Sequence, residues 1–177
     1  FVVASGSSPR VPPIEGINDV SYLTNETVFH LKEAPSHLIV VGGGPLGCEL
    51  AQAYRRLGAK VTVLDEGTIL SKEDPELATV VKKQLLEEGI EIKEHAKITA
   101  AKQKNNSVII VSSCSNQAKP LEGSHLLIAA GRVPNLTGLD LEAGGIEYEQ
   151  NGILTNKRLL TSNKRVYALG DVINGPQ

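Results

Sequence analysis

The chain has 177 residues, of which 41% are hydrophobic, and a formal net charge of −2 at pH 7. This length and composition are typical of a globular protein with a buried core, and they exclude collagen-like and disordered chains. Acidic and basic residues are mixed along the sequence, so no basic surface for nucleic acid or for an anionic membrane is expected. A small molecule is therefore the predicted partner.

The apolar runs and the cysteines indicate the setting of the chain. The apolar run at residues 38–41, like the other apolar runs of the chain, is far shorter than a membrane span. Cys48 and Cys114 are widely separated and no histidine cluster accompanies them, which argues against a disulfide framework and against a metal site. A reducing, cytoplasmic location is predicted. Because the chain starts at Phe1 and contains no methionine, we expect it to be cut from a longer protein.

The first 22 residues predict an edge strand and a linker. Residues 2–4 are apolar, residues 5–9 are a turn cluster of Ser, Gly and Pro, and Pro12 and Pro13 continue as an irregular crossing segment. We interpret residues 1–22 as the edge of a neighbouring domain with its linker.

Residues 38–65 predict a strand, a glycine turn, a helix and a second strand. The continuous apolar run at 38–41 is typical of a parallel strand covered on both faces, and it stops at Gly42. Apolar residues then recur at helical spacing from Leu46 to Leu57, and Gly58 ends the pattern. Residues 60–65 predict the second strand, which a right-handed connection places beside the first.

The following segment predicts one more helix. Asp74 is the expected N-cap before Pro75, and an apolar stripe of Leu77, Val81 and Leu85 continues towards Glu88. Strands are then predicted at residues 90–93, 98–102, 107–112 and 126–130, so that a β-meander replaces the next helix. After residue 133 the frequent Pro, Asn and Gly residues predict irregular structure until a last strand at 166–169. We assign residues 23–134 to the central domain and 135–177 to a return segment.

Three glycines carry the clearest functional signal. Gly42, Gly44 and Gly47 have the GxGxxG spacing, in which the first glycine allows a tight turn, the second admits a pyrophosphate and the third lets the helix pack closely. The same spacing could be a purely structural turn. The buried strand before it, the helix after it and an acidic residue about 20 positions later favour a dinucleotide site. The fold class is therefore α/β, with a Rossmann-like parallel sheet and a β-meander.

Asp65 and Glu66 bear on which dinucleotide is bound. Asp65 ends the second predicted strand, where a carboxylate accepts hydrogen bonds from the adenosine ribose and repels a 2′-phosphate. Glu66 adds negative charge and the next basic residue is Lys72, so NAD is predicted in preference to NADP. The alternative is that both acids are merely solvated.

No catalytic pair or triad is apparent in the sequence. Glu49 is stabilised in the first turn of a helix without any ligand, and Cys48 is interpreted as a packing residue. The four histidines are scattered and are interpreted as surface or hydrogen-bonded residues rather than catalysts: His30, His37, His95 and His125.

Over its whole length the chain resembles the pyridine nucleotide-disulfide oxidoreductases. The resemblance depends on the glycine turn, on Asp65 and on two further segments, Ala130-Gly131-Arg132-Val133-Pro134-Asn135 and Tyr167-Ala168-Leu169-Gly170-Asp171. It is similar to the dihydrolipoamide dehydrogenase and mercuric reductase branch, and residues 22–27 and 175–177 favour the latter. The resemblance implies a fold of the FAD/NAD(P)-binding domain type, in which an NAD(P)-binding domain is flanked by edges of the flavin domain.

The resemblance also implies cofactor-binding residues. On the flavin side these are Gly6, in a turn at the edge of the flavin domain, and Asp171, which would contact the ribityl chain. On the nicotinamide side the implied set is Pro45, Glu49, Ala130 and Gly131, and Leu46 is a further predicted cofactor-binding residue beside the glycine turn. Several relatives carry a tyrosine that covers the nicotinamide at the position of Pro45, so that kind of gating is not expected.

The implied reaction passes a hydride from NADH through FAD to a redox-active disulfide. The first flavin glycine motif, the redox cysteine pair and the interface domain are not in this sequence, so the chain alone is not expected to turn over. The implied partners are the flavin domain of the same protein and, in the parent, a second copy. A non-catalytic module that senses NADH remains the alternative.

Overall fold

The computed structural model describes residues 1–114 and 117–175. The chain forms two compact units. The central unit is Arg10–Gly131, and the terminal unit combines Phe1–Pro9 with Arg132–Gln177. Residues 175–177 were among those that favoured the mercuric reductase branch, and the last two of them lie outside the described part of the chain.

Two helices and thirteen strands are described. In chain order they are β1 (Val2–Val3), β2 (Ser7–Pro9), β3 (His37–Val41), α1 (Pro45–Arg56), β4 (Lys60–Leu64), α2 (Pro75–Glu87), β5 (Glu91–Lys93), β6 (Lys97–Lys104), β7 (Ser107–Cys114), β8 (Gln117–Gly123), β9 (His125–Ile128), β10 (Arg132–Pro134), β11 (Tyr148–Glu149), β12 (Gly152–Ile153) and β13 (Tyr167–Ala168). Short 3-10 helices span Ile17–Asp19 and Val28–His30.

A four-stranded parallel sheet organises the central unit, in the order β5-β4-β3-β9. The apolar runs of β3 and β4 are buried from their second residue onward, as the sequence predicted for strands covered on both faces. The chain leaves β3 through α1 to β4 on one side, while β9 pairs with the other side of β3. Ligands of such sheets bind at the carboxyl ends of the strands, at the point where the connections diverge.

The helices largely match the prediction. One face of α1 buries Cys48, Ala51 and Tyr54 in a hydrophobic core cluster. The cap of α2 is confirmed, because Asp74 Oδ1 accepts the N–H groups of Glu76 and Leu77 at 2.9 and 3.2 Å.

The predicted apolar stripe of α2 is wrong in detail. Leu85 is buried, but Leu77 and Val81 are 66% and 41% exposed. The face that packs on the core contains Ala78 and Leu85, seven residues apart, and this turns the larger apolar residues beside it outward.

The predicted meander is confirmed as the antiparallel sheet β6-β7-β8. Its third strand, β8, was not predicted because it is polar and contains Pro120, which an edge strand tolerates. Residues before β3 also pack in this part of the molecule. Ile14, Ile17 and Val20 are buried in one hydrophobic cluster with Ile98 of β6. The central unit therefore begins at Arg10, whereas the linker assigned from the sequence extends to residue 22.

The described residues of the terminal unit form three strand pairs. β1 pairs in parallel with β13, β2 is antiparallel to β10, and β11 is antiparallel to β12. The turn predicted at residues 5–9 and the irregular structure predicted after residue 133 are therefore wrong where β2, β10, β11 and β12 form. The β2–β10 pair was not predicted because Pro9 and Pro134 argue against a strand. In a sheet of only two strands, both strands are edges, and an edge strand tolerates proline.

Among the described residues, no helix is long and apolar enough to cross a membrane.

Candidate dinucleotide-binding site

Gly42 ends β3 at the carboxyl edge of the parallel sheet. Its φ of +108° is a conformation that side chains rarely adopt. A Cβ atom there would lie 2.4 Å from the carbonyl oxygen of Ala129 and 3.0 Å from the Cα atom of Ala130. Glycine at this position therefore lets the chain after β3 approach the chain after β9 closely.

Gly47 and Gly44 have opposite surroundings. A Cβ atom at Gly47 would lie 2.0 Å from the carbonyl oxygen of Gly42, so that glycine is required for α1 to approach the turn. A Cβ atom at Gly44 would meet nothing within 4 Å, and Gly44 has an ordinary extended backbone with φ −71°. Gly44 therefore borders open space, as expected for a glycine that a ligand approaches.

The start of α1 presents free amide groups. Gly44 is the N-cap and makes no side-chain cap, and Pro45 at the first helical position has no N–H. The first-turn amides of Leu46 and Gly47 have no intrahelical acceptor. The Leu46 side chain itself packs against the core. The turn thus combines open space, orphan amides and the positive end of the helix dipole, which together favour an anion.

Asp65 is tied to the glycine turn by a contact that the sequence did not predict. Its Oδ2 accepts the backbone N–H of Gly43 at 2.7 Å, and its Oδ1 accepts that of Gly67, also at 2.7 Å. Each carboxylate oxygen has a further lone pair for a hydroxyl donor. Asp65 therefore joins the end of β4 to the end of β3 and retains the capacity to accept further hydrogen bonds.

The loop at residues 65–70 closes over Gly43. The Leu70 N–H donates to the Gly43 carbonyl at 2.8 Å, and Leu70 has a positive φ of 55°. The loop is also held by Glu94, the residue after β5, whose Oε1 accepts the Ile69 N–H at 3.1 Å. The three consecutive glycines 42–44 and the acid after β5 were visible in the sequence, but these contacts were not.

The remaining residues predicted on the nicotinamide side lie around the same edge of the sheet. Pro45, Glu49 and Gly131 are exposed, and a Cβ atom at Gly131 would meet nothing within 4 Å. Ala130 is beside Gly42 and partly exposed. Glu66 is exposed in the loop that follows Asp65.

Cys48 lies beneath the turn as a buried thiol. Its Sγ donates to the Gly43 carbonyl at 3.4 Å. Burial, together with the negative charges of Asp65 and Glu49, raises the pKa of this thiol to about 11. A neutral thiol in this position fits packing rather than nucleophilic attack.

The histidines of the sheet lie away from its carboxyl edge. His37 begins β3, where its Nε2 is 2.9 Å from Thr62 Oγ1, and burial lowers the pKa of its imidazole. His125 begins β9 and contacts Ser124 Oγ at 3.0 Å. Both are hydrogen-bonded residues at the opposite ends of the strands from the glycine turn.

In the terminal unit, Gly6 and Asp171 are brought close through Ser7. Gly6 has a positive φ of 69°, and its carbonyl accepts the Asn135 N–H at 2.9 Å. Ser7 Oγ donates to Asp171 Oδ2 at 2.7 Å. Arg132 Nε donates to Ser7 Oγ at 2.5 Å and lies 3.4 Å from Asp171 Oδ2. The carboxylate is thus oriented by a hydroxyl and a guanidinium.

Asn135 holds the serines around Gly6. Its Nδ2 donates to the Ser5 carbonyl at 2.9 Å, and its Oδ1 accepts from Ser8 Oγ at 2.8 Å. Ser5 Oγ in turn donates to the Asn135 carbonyl at 2.8 Å. Asn135 therefore fixes the N-terminal turn, a role that its residue type alone did not reveal.

The part of the chain that the structure describes contains no cluster of three or more His, Cys, Asp or Glu side chains suited to a metal ion.

Comparison with known families decides the classification. The family model for pyridine nucleotide-disulphide oxidoreductases matches residues 1–177. The chain belongs to this family. This membership confirms the family resemblance inferred from the glycine turn, from Asp65 and from the segments at residues 130–135 and 167–171.

Curated relatives of this oxidoreductase family member include mercuric reductases. Those of Staphylococcus aureus and Lysinibacillus sphaericus are each 38% identical over 179 residues, which cover 100% of this chain and 33% of theirs. That of Streptomyces lividans is 34% identical, over 99% of this chain and 37% of its own. The chain thus spans about a third of the length of these relatives.

Solved structures of family members have the same fold. The HOCl-induced flavoprotein disulfide reductase RclA from Escherichia coli, as its Cu(II) complex, matches with a TM-score of 0.91 and 32% identity, over 99% of this chain and 40% of that one. LpdA from Mycobacterium tuberculosis matches with a TM-score of 0.86 and 32% identity, over 97% and 37%. The α/β fold class predicted from the sequence is confirmed.

Proposed function

We propose that the central unit binds NAD(P)H at the carboxyl edge of its parallel sheet, with the pyrophosphate over Gly44 and the start of α1. The observation that carries this proposal is the contrast among the glycines. Gly42 and Gly47 are closed by backbone contacts, whereas Gly44 faces space with no atom within 4 Å of a built Cβ. A cradle that a methyl group would enter, lined by orphan amides, suits a phosphate group.

Within this proposal Asp65 accepts hydrogen bonds from the adenosine ribose. Its carboxylate is held in place by Gly43 and Gly67, so little reorientation is needed for it to receive a hydroxyl. The negative charges of Asp65 and Glu66 disfavour a 2′-phosphate, and NAD(H) is the proposed dinucleotide rather than NADP(H). Glu49, Ala130 and Gly131 are proposed to face the nicotinamide half.

For the protein as a whole we propose a flavin-dependent reductase in which NADH supplies a hydride, and bound FAD passes the electrons on to a disulfide. In the terminal unit, the Gly6 turn and Asp171 would contact the flavin, with Ser7 and Arg132 holding the Asp171 carboxylate. The flavin domain of the same protein and a second copy are the proposed partners. A purely sensing module is not favoured, because the similar proteins named above are reductases.

Calorimetric titration of the chain with NADH tests the proposal. We expect NADH to bind the wild-type chain and Gly44→Ala to weaken binding at least tenfold without unfolding the chain, since the new methyl group enters the phosphate cradle. Gly175→Ala is the matched control, because the nearest atom to its new Cβ would be 3.9 Å away. A Gly44→Ala chain that binds NADH like the wild type would overturn the assignment.

Asp65→Asn tests the choice of dinucleotide. The substitution removes the charge and keeps one acceptor oxygen, so we expect the preference for NADH over NADPH to narrow several-fold. Unfolding temperatures measured in parallel separate this effect from loss of the Gly43 contact. A wild-type chain that prefers NADPH would contradict the NAD assignment.

A further inference from the structure

We propose that Glu94, through its pair with Lys82, is a positioning and specificity residue of the dinucleotide site: it anchors the 65–70 loop and masks a lysine charge that would otherwise favour a 2′-phosphate. This inference rests on the proposed function.

The position of Glu94 follows from the parallel sheet. Gly42, Asp65 and Glu94 follow the adjacent strands β3, β4 and β5, so the three lie along one carboxyl edge. The pairing continues past the strand ends, where the Asp65 N–H donates to the Lys93 carbonyl at 3.0 Å. Glu94 is therefore adjacent to the proposed ribose side of the site.

Glu94 is a side-chain anchor of the 65–70 loop. Its Oε1 accepts the Ile69 N–H at 3.1 Å. On the glycine turn, a Cβ atom built at Gly43 would lie 2.4 Å from Ile69 Cγ2 and so overlap that side chain. Moving Ile69 would therefore disturb both Gly43 and the Asp65 carboxylate bonded to it. A change at Glu94 can reach the ribose acceptor without touching the ligand.

The other oxygen of Glu94 neutralises a lysine. Lys82 Nζ on α2 lies 2.5 Å from Glu94 Oε2, and the side chains are 38% and 18% exposed. Although partial burial opposes it, the hydrogen bonds from Lys82 and Ile69 lower the pKa of Glu94 below its ordinary value. The carboxylate is thus ionised near neutral pH, and it cancels the ammonium charge next to the loop.

Replacement of Glu94 by glutamine separates the two roles. A glutamine keeps an oxygen that can accept the Ile69 N–H, but it leaves the Lys82 charge uncompensated. The 2′-phosphate of NADPH carries between one and two negative charges, whereas NADH has only a neutral hydroxyl there. With partial solvent screening, one uncompensated charge within about 10 Å changes affinity on the order of fivefold.

The experiment measures dissociation constants of NADH and NADPH for the whole 177-residue chain, by calorimetry at one low salt concentration. We expect Glu94→Gln to tighten NADPH binding on the order of fivefold, with NADH little changed. Adding Lys82→Gln to that variant should abolish the gain. Glu94→Ala, which also removes the loop anchor, should weaken NADH binding, because NADH gains nothing from the uncovered lysine charge. Glu88→Gln is the control, since Glu88 pairs with Arg56 and should leave the ratio unchanged.

The outcomes distinguish this inference from the proposed function. If the wild-type chain binds neither nucleotide, both fail. If it binds NADH but Glu94→Gln leaves the ratio of the two constants unchanged, or if the gain survives without Lys82, the specificity role of Glu94 alone is overturned. Melting temperatures identify any variant that has lost its fold. Glu94→Gln should be the Glu94 variant with the smaller loss of stability, because glutamine keeps an acceptor for the Ile69 N–H.

Discussion

The carbonyl oxygen of Gly42 lies 2.0 Å from the position that a Cβ atom would occupy at Gly47. No side chain fits there unless α1 moves away from the turn. Gly47→Ala should therefore destabilise the fold by about 1–3 kcal/mol, as overpacking typically does. Chemical denaturation provides the measurement. Gly44→Ala is the internal comparison and should change stability by less than about 1 kcal/mol, because only a weak capping preference is lost. Equal stability losses in the two variants would contradict this account.

Glu88 should make stability depend on acid pH. Hydrogen bonds from Arg56 and then Gln84, with a further one from Gln52, lower the pKa of Glu88 from 4.5 to about 2. Because the folded pKa is lower than the unfolded one, the stabilisation is complete above 4.5 and is lost as the pH falls towards 2. We expect the melting temperature of Glu88→Gln to lie below that of the wild type near neutral pH and to converge with it in acid.

The control for this dependence is Glu87→Gln. Glu87 forms an exposed pair with Lys83 at 3.8 Å, so its replacement should produce a much smaller difference at every pH. A difference for Glu88→Gln that persists unchanged at the lowest pH would show that the ionised carboxylate is not its source.

Cys48 should be unreactive in the folded chain. Its pKa is raised from 9.0 to about 11, so the folded protein holds about a hundredfold less thiolate than the unfolded chain at neutral pH. Alkylation by iodoacetamide, in a Cys114→Ser background, should be slower by at least that factor than in urea. For the same reason stability should decline as the pH rises above 9.0. Equal alkylation rates in the folded and unfolded chains would refute the buried position of the thiol.

Asn135 should stabilise the terminal unit through its side chain. Asn135→Ala removes the hydrogen bonds to the Ser5 carbonyl and from Ser8 Oγ, and we expect a loss of about 1–2 kcal/mol in urea denaturation. Asn174→Ala serves as the comparison, because that exposed amide makes a single bond to Glu149 at 3.0 Å. If the two variants are equally stable, the amide of Asn135 does not hold the N-terminal turn.

Sequence reasoning recovered the elements whose pattern is periodic or continuous. The apolar run ending at Gly42 and the helical spacing from Leu46 identified β3 and α1, because burial on both faces or on one face leaves that signature. The glycine spacing located the turn, since a missing side chain is visible in the sequence. Strand β8 was not predicted, because its polar residues and Pro120 show no periodic or continuous apolar pattern.

What the sequence could not predict is mostly hydrogen bonding. The bond from the Gly43 amide to Asp65 involves a backbone group, which every residue type except proline possesses. The anchor formed by Glu94 depends on the register of β5 against β4 and on the position of Lys82 on α2. An acid after a strand can be read from the sequence, but its partner in space cannot.

The backbone N–H of Arg10 donates to the carbonyl oxygen of Gly131 at 2.9 Å, so the two ends of the central unit meet. A segment with adjacent ends can be excised as a self-contained module, or grafted into another scaffold, without stretching the chain on either side. Residues 10–131 are therefore a natural cassette for expression alone. The complementary variant deletes residues 10–131 and joins Pro9 to Arg132 through a short flexible linker.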